Sequence, residues 1–170
     1  MKQGANCVPT LATIYNLQKA LRQFLRNEKR LLENPEAHAQ YVDFFQEMLD
    51  MKHLEEVPED ALNLSAGQCY VLQHHAVMKP DSTTTKCRAV FNGSAITSNG
   101  RTLNETLLVG PKQQPDLFET LFRFMFFKVF LTGDVTKMYR QVALNKDVRK
   151  FHQMFWRSSP NQANQRYRMT

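Results

Sequence analysis

Asp134 is the acid in this sequence whose position most invites chemistry. It follows Gly133 near the end of the run KVFLTGDV, residues 128–135. A short β-branched and aromatic run of this kind reads as a buried strand whose C-terminal end delivers a carboxylate. Such a carboxylate is costly to bury unless it meets a metal ion or a cation. The plainer alternative is a strand-end Asp that caps the turn toward Met138. Lys86 and Arg88, two residues apart in KCRAVFNGSA, with Lys79 at the end of CYVLQHHAVMK, form a second candidate. Arg suits bidentate phosphate contact and Lys point-charge contact; the alternative is a solvated β face. Cys69, His74, His75 and Cys87 suggest zinc only loosely. No C-x-x-C or H-x-x-x-H spacing is present, and strand alternation sends His74 and His75 to opposite faces. No phosphate-binding glycine loop and no G-x-S-x-G occurs. Asn104-Glu105-Thr106 is a glycosylation sequon, inert in the intracellular setting expected below.

These residues sit in a chain of 170 residues, about one domain, with 42% apolar and 22% charged residues. Disorder, collagen and coiled coil fit that composition poorly. Three cysteines are too few for a disulfide framework. The most apolar stretch, 117–131, is interrupted by Glu119, Arg123 and Lys128, so no membrane span is expected. The N-terminus lacks a signal pattern, and the expectation is a soluble intracellular chain. The net charge of +6 hides an asymmetry. Residues 1–60 carry 7 Lys and Arg against 10 Asp and Glu, a net of −3; residues 61–170 carry 15 against 6, a net of +9. A basic block of this size attracts polyanions, chiefly nucleic acid or nucleotide phosphates, or simply solvates a surface.

The positioning elements follow from periodicity. Leu11, Ile14, Leu17, Leu21, Leu25 and Leu32 recur at helical spacing, with Lys19, Arg22, Arg26 and Arg30 mostly off that stripe. Asn34-Pro35-Glu36 opens a second helix carrying Tyr41, Phe44, Phe45, Met48 and Leu49, which fades at Lys52-His53. A polar connector, EEVPEDALNLSAGQ, follows. The period then changes to two: residues 69–79 and 86–95 predict a β-hairpin around a polar turn, 80–85. Lys86, Arg88, Val90 and Asn92 share one face of it, Cys87, Ala89 and Phe91 the other. After a loop, Pro115-Asp116 opens a helix with Leu117, Leu121, Phe124 and Phe127 or Lys128 as its stripe. KVFLTGDV supplies the strand. TKMYRQVAL and FHQMFW supply further short helix and strand. The tail SSPNQANQRYRMT reads as the start of another element, so the chain is expected to stop within a domain. The fold class is α+β, divided into a helical segment, 1–60, and a basic segment, 61–170.

The runs HHAVMKPDSTTTKCRAVFNGSA, SNGRTLNETLLVGPKQQPDLFETLFRF, LTGDVTKMYRQVAL and RKFHQMFWR, in that order, together closely resemble the reverse transcriptase of BEL/Pao-type LTR retrotransposons. RLLENPEAHAQYVDFFQEMLDMKHLEEVP resembles the segment preceding that polymerase core, so the likeness covers roughly residues 16–169. It implies the fingers and a partial palm of a right-hand polymerase, preceded by a helical pair. It also implies RNA-directed DNA polymerisation, with an RNA template, a DNA primer and dNTPs as partners. In the complete parent enzyme Mg²⁺ is the cofactor, working inside a cytoplasmic particle. On this likeness Asp134 is the first catalytic aspartate and binds metal with the backbone carbonyl of Val135. Tyr139 is the aromatic gate against a 2′-hydroxyl. Arg88, with Lys86 and Lys79, holds the triphosphate. Two departures stand out. Asn92 occupies a position where the family usually has an acid, and the family's Tyr-x-Asp-Asp is not among the 170 residues. The chain alone is therefore expected to be inactive unless a remainder supplies the missing palm. The alternative from another class is a non-enzymatic, basic nucleic-acid-binding remnant.

Overall fold

A computed structural model describes residues 13–58, 62, 69–82, 86–97, 99–112 and 114–170. Most of the expected connector, the hairpin tip at 83–85 and the N-terminal segment lie outside the described residues. The architecture is mixed helix and antiparallel sheet, as an α+β chain requires. Two compact units form: one contains the chain to Leu107 and from Ala143, the other is Leu108–Val142. Residue 60, where the sequence reading sets a boundary, lies outside the described residues.

In the larger unit, α1 spans Thr13–Leu32 and α2 Pro35–Asp50. The cap of α2 is the one its sequence announces: Asn34 Oδ1 accepts from the Ala37 amide at 3.1 Å, with Pro35 in the first turn. Tyr41, Phe45 and Met48 are buried, and Phe44 and Leu49 pack against the same core. The face that α1 buries differs from the leucine stripe. Ala20, Phe24 and Leu31 are buried together with Asn16, Asn27 and Glu28, while Leu25 and Leu32 are exposed. The helix is thus rotated by roughly a quarter turn from the hydropathy reading. Its buried polar groups meet partners far along the chain. Asn16 Oδ1 accepts from the Val71 amide at 2.7 Å and Asn27 Nδ2 donates to the His74 carbonyl at 2.6 Å. Glu28 takes two hydrogen bonds from Arg157, at 2.7 and 2.5 Å. A satisfied polar group costs little to bury, so leucine periodicity alone does not choose the face.

Among the described residues five short strands follow: β1 (Leu54–Glu56), β2 (Gln73–Met78), β3 (Cys87–Asn92), β4 (Gln153–Trp156) and β5 (Gln165–Met169). β2 and β3 make the expected hairpin, in the register Gln73↔Asn92 to Met78↔Cys87. The other sheet has the order β1-β5-β4. Leu54 pairs with Met169 and Gln153 with Arg168. Glu55 and Glu56, read from sequence as the start of the connector, therefore belong to a strand, and the polar tail supplies its partner. Glu55 accepts from Arg168 Nε at 2.6 Å and Arg149 Nη1 at 3.2 Å. Burial raises the Glu55 carboxyl, but these two hydrogen bonds and charges outweigh it and hold the group below its ordinary range. The core gathers Phe24, Tyr41, Phe45, Met154, Phe155 and Trp156. Phe45 stacks on Trp156 with ring centroids 4.0 Å apart.

The smaller unit has α3 (Leu117–Phe124), whose N-cap Asp116 accepts from the Phe118 amide at 3.0 Å. The strand expected at KVFLTGDV is absent. Residues 129–135 are irregular and exposed, Leu131 being 91% accessible. Among the described residues no strand pairs with this run. An unpaired strand leaves its backbone groups without partners, and about 35 residues are too few to bury a core of their own. Leu117 and Leu121 of the α3 stripe are exposed for the same reason, and Phe124 is half-buried. α4 (Lys146–Arg149), in the larger unit, is a single turn capped by Asn145. Among the described residues no helix is long and apolar enough to cross a membrane.

Candidate polyanion-binding hairpin

The hairpin has two chemically distinct faces. On the inner face His74, Ala76, Cys87, Ala89 and Phe91 turn toward α1 and α2. On the outer face Val77 lies opposite Arg88 and, one pair further, the Lys79 amide donates to the Lys86 carbonyl at 2.7 Å. Pairing and alternation thus gather Lys79, Lys86 and Arg88 on one exposed face near the tip. Asp81 is the only acid between Gln73 and Asn92. Three cations on neighbouring pair positions suit a multiply charged anion such as a triphosphate, which offers several phosphoryl oxygens at similar spacing.

His74 anchors this hairpin rather than serving as a ligand. Its Nδ1 lies 2.6 Å from the Tyr41 hydroxyl and its Nε2 2.7 Å from the Phe155 carbonyl oxygen. Phe24, Tyr41, Phe45 and Phe91 surround the ring. Burial depresses its pKa to about 4, against the Phe155 hydrogen bond that favours the charged form. The same enclosure raises the Tyr41 hydroxyl far above its ordinary value. Cys69 and Cys87 are buried, and burial pushes the Cys87 thiol up. Among the described residues no three His, Cys, Asp or Glu side chains are grouped to hold a metal. His75 lies on the opposite face from His74, as alternation predicts.

Asn92 ends β3 by accepting from the Ser94 amide at 2.9 Å. A carboxylate would accept the same bond, so the turn tolerates either residue. Asn104, the sequon residue, donates to Ser94 Oγ at 2.8 Å and steadies this turn.

Asp134, Val135 and Tyr139 belong to the smaller unit, the hairpin cations to the larger. Asp134 is exposed on irregular chain, and Tyr139, in the 3-10 turn Met138–Gln141, is 87% accessible. The Val135 carbonyl accepts from the Met138 amide at 3.2 Å. A Mg²⁺ ion needs near-octahedral oxygen ligands and surrenders its water reluctantly. The likeness draws the remaining acids of that site from a Tyr-x-Asp-Asp not among the 170 residues, and among the described residues Asp134 stands in no group of three His, Cys, Asp or Glu side chains. Sequence reasoning missed Asn16, Asn27, Glu28 and Arg157 as the polar ties that hold the scaffold. Arg157 follows β4, and Asn16 and Asn27 lie off the leucine stripe, so hydropathy periodicity gives no signal for them. No protein-family model and no curated protein matches the chain.

Proposed function

We propose that this chain contributes the fingers and the first palm segment of an RNA-directed DNA polymerase of the BEL/Pao type. On this reading the outer face of the hairpin holds the triphosphate of the incoming dNTP. The observation that carries it is the collection of Lys79, Lys86 and Arg88 on one exposed face, anchored from behind by His74. The order of the quoted runs supplies the polymerase part. Asp134 is assigned to the catalytic centre and Tyr139 to sugar selection, both on sequence likeness. RNA template and DNA primer are the partners. The 170 residues alone are expected to bind without extending a primer, because the Tyr-x-Asp-Asp acids of the likeness are not among them.

That same observation favours a second reading, a non-enzymatic polyanion binder. Titration calorimetry with dGTP, and with dGMP for comparison, tests the triphosphate assignment to the hairpin, and primer extension separates the two readings. The polymerase reading expects triphosphate to bind at least tenfold tighter than monophosphate, and K79Q/K86Q/R88Q to abolish the preference. Equal binding of both nucleotides, or an unchanged preference in the triple variant, refutes the triphosphate assignment. Extension of a DNA primer on an RNA template, lost in D134N, would overturn the expectation of inactivity.

A further inference from the structure

α1 carries five cations and one acid. The acid, Glu28, is buried and bonded to Arg157. All five cations, Lys19, Arg22, Arg26, Lys29 and Arg30, are exposed. At about 100° per residue they fall within one strip roughly 100° wide, nearly opposite the buried face of Ala20, Phe24 and Leu31. The strip lies in the third of the chain whose overall balance is acidic, so composition conceals it. It contains like-charge pairs at three- and four-residue spacing, Lys19 with Arg22, Arg22 with Arg26, and Arg26 with Lys29 and Arg30. Such pairs destabilise an isolated helix, and a polyanion lying along the strip relieves that repulsion.

We propose that this strip of α1 is a sequence-independent contact surface for the phosphate backbone of a nucleic-acid duplex. Lys19 to Arg30 covers roughly 16 Å of helix, the length of about five phosphates along one strand of a duplex. A duplex suits the strip better than a single strand, because single-strand sites rely on aromatic stacking platforms. The aromatic residue among the described side chains of α1, Phe24, is in the core. Membrane insertion is unsuited to it, because the apolar side of α1 is already packed against β2, α2 and β4. The strip faces away from the hairpin's inner face, whereas Lys79, Lys86 and Arg88 project from the hairpin's outer face. The two basic surfaces are therefore distinct, and the α1 assignment does not depend on the polymerase reading.

The test is fluorescence anisotropy with a labelled mixed-sequence DNA duplex over a range of salt. K19Q/R22Q/R26Q/K29Q/R30Q is expected to weaken binding at least tenfold at low salt. It should also flatten the log–log salt slope by about 3 to 4, near 0.9 per lost phosphate contact. R22K/R26K/R30K, which keeps the charge, should retain the slope. Should the five-site variant lose its helical circular dichroism, R22Q/R26Q serves instead, with an expected flattening of about 2. An unchanged affinity and slope in a folded variant overturns the proposal. So does tighter binding of the single strand, or equal binding of polyglutamate. Dependence of dGTP binding on the hairpin cations, read separately, stands or falls without affecting this result.

Discussion

The Tyr41 hydroxyl donates to His74 Nδ1 across 2.6 Å, joining the middle of α2 to the inner face of β2. The Phe155 carbonyl, 2.7 Å from Nε2, can only accept, which assigns the ring proton to Nε2 and leaves Nδ1 as the acceptor. One neutral imidazole thereby ties a helix and two sheets together. A second proton would leave two donors facing each other at Tyr41 in an apolar enclosure, unless the hydroxyl turned away and lost its own bond.

This arrangement makes stability depend on pH. The folded-state pKa of His74, about 4, lies below its ordinary 6.5, so between those values the unfolded chain binds a proton that the folded chain does not. Stability from this group is complete above about pH 6.5 and is lost as pH falls toward 4, on the order of 3 kcal/mol in all. Urea unfolding at pH 7 and pH 4.5 should show the loss in the parent chain and much less of it in H74Q. Equal losses in both would remove His74 as the cause. Glu55, held below its ordinary 4.5, adds a separate loss at lower pH, as its carboxylate protonates and releases Arg168 and Arg149.

Glu28 and Arg157 form a nearly enclosed ion pair, their side chains 10% and 13% accessible. The Glu28 hydrogen bonds raise the guanidinium pKa further. Removing one partner strands the other's charge, so E28Q or R157M should each cost about 3 kcal/mol. The double variant E28L/R157M should lie closer to the parent than either single change does. Chemical denaturation of the four proteins checks this, and additive losses would refute it.

Trp156 is the single tryptophan of the sequence, buried and stacked on Phe45. Its emission should be blue-shifted in the folded chain and move red in one cooperative step on unfolding. F45A, which opens a cavity against that ring, should cost about 3–5 kcal/mol. An unshifted urea midpoint would mean that the stack contributes nothing.

Asp134 is exposed on irregular chain. D134N should therefore leave the thermal midpoint of the isolated chain within the range of ordinary surface changes, about 0.5 kcal/mol. A loss of several times that size would show that Asp134 supports the fold, and would disqualify D134N as a clean control in primer-extension assays.

Some features were legible because they are local. Asn34-Pro35 announced the cap of α2, since a cap needs only residues within one turn. Period-two alternation sorted the hairpin faces correctly and placed His74 and His75 on opposite sides, because successive residues of any strand point opposite ways. Lys79, Lys86 and Arg88 could be grouped from sequence for that reason. The strand expected at residues 128–135 failed because a strand is a pairwise object, and hydropathy says nothing of whether a partner is present.

Sequence by itself determined the α+β class, the helical pair, the hairpin with its cationic face, and the basic excess beyond residue 60. Tertiary structure alone decided which side of α1 is buried. The partners of Asn16, Asn27 and Glu28 lie 55, 47 and 129 residues away, and a polar group can be buried only where such a partner meets it. It also decided that His74 is a satisfied core residue, that Leu54–Glu56 is a strand closed by the polar tail, and that the cationic side of α1 is left on open surface. Each of these depends on distances between residues far apart in the chain, which the order of amino acids constrains only through the folded structure.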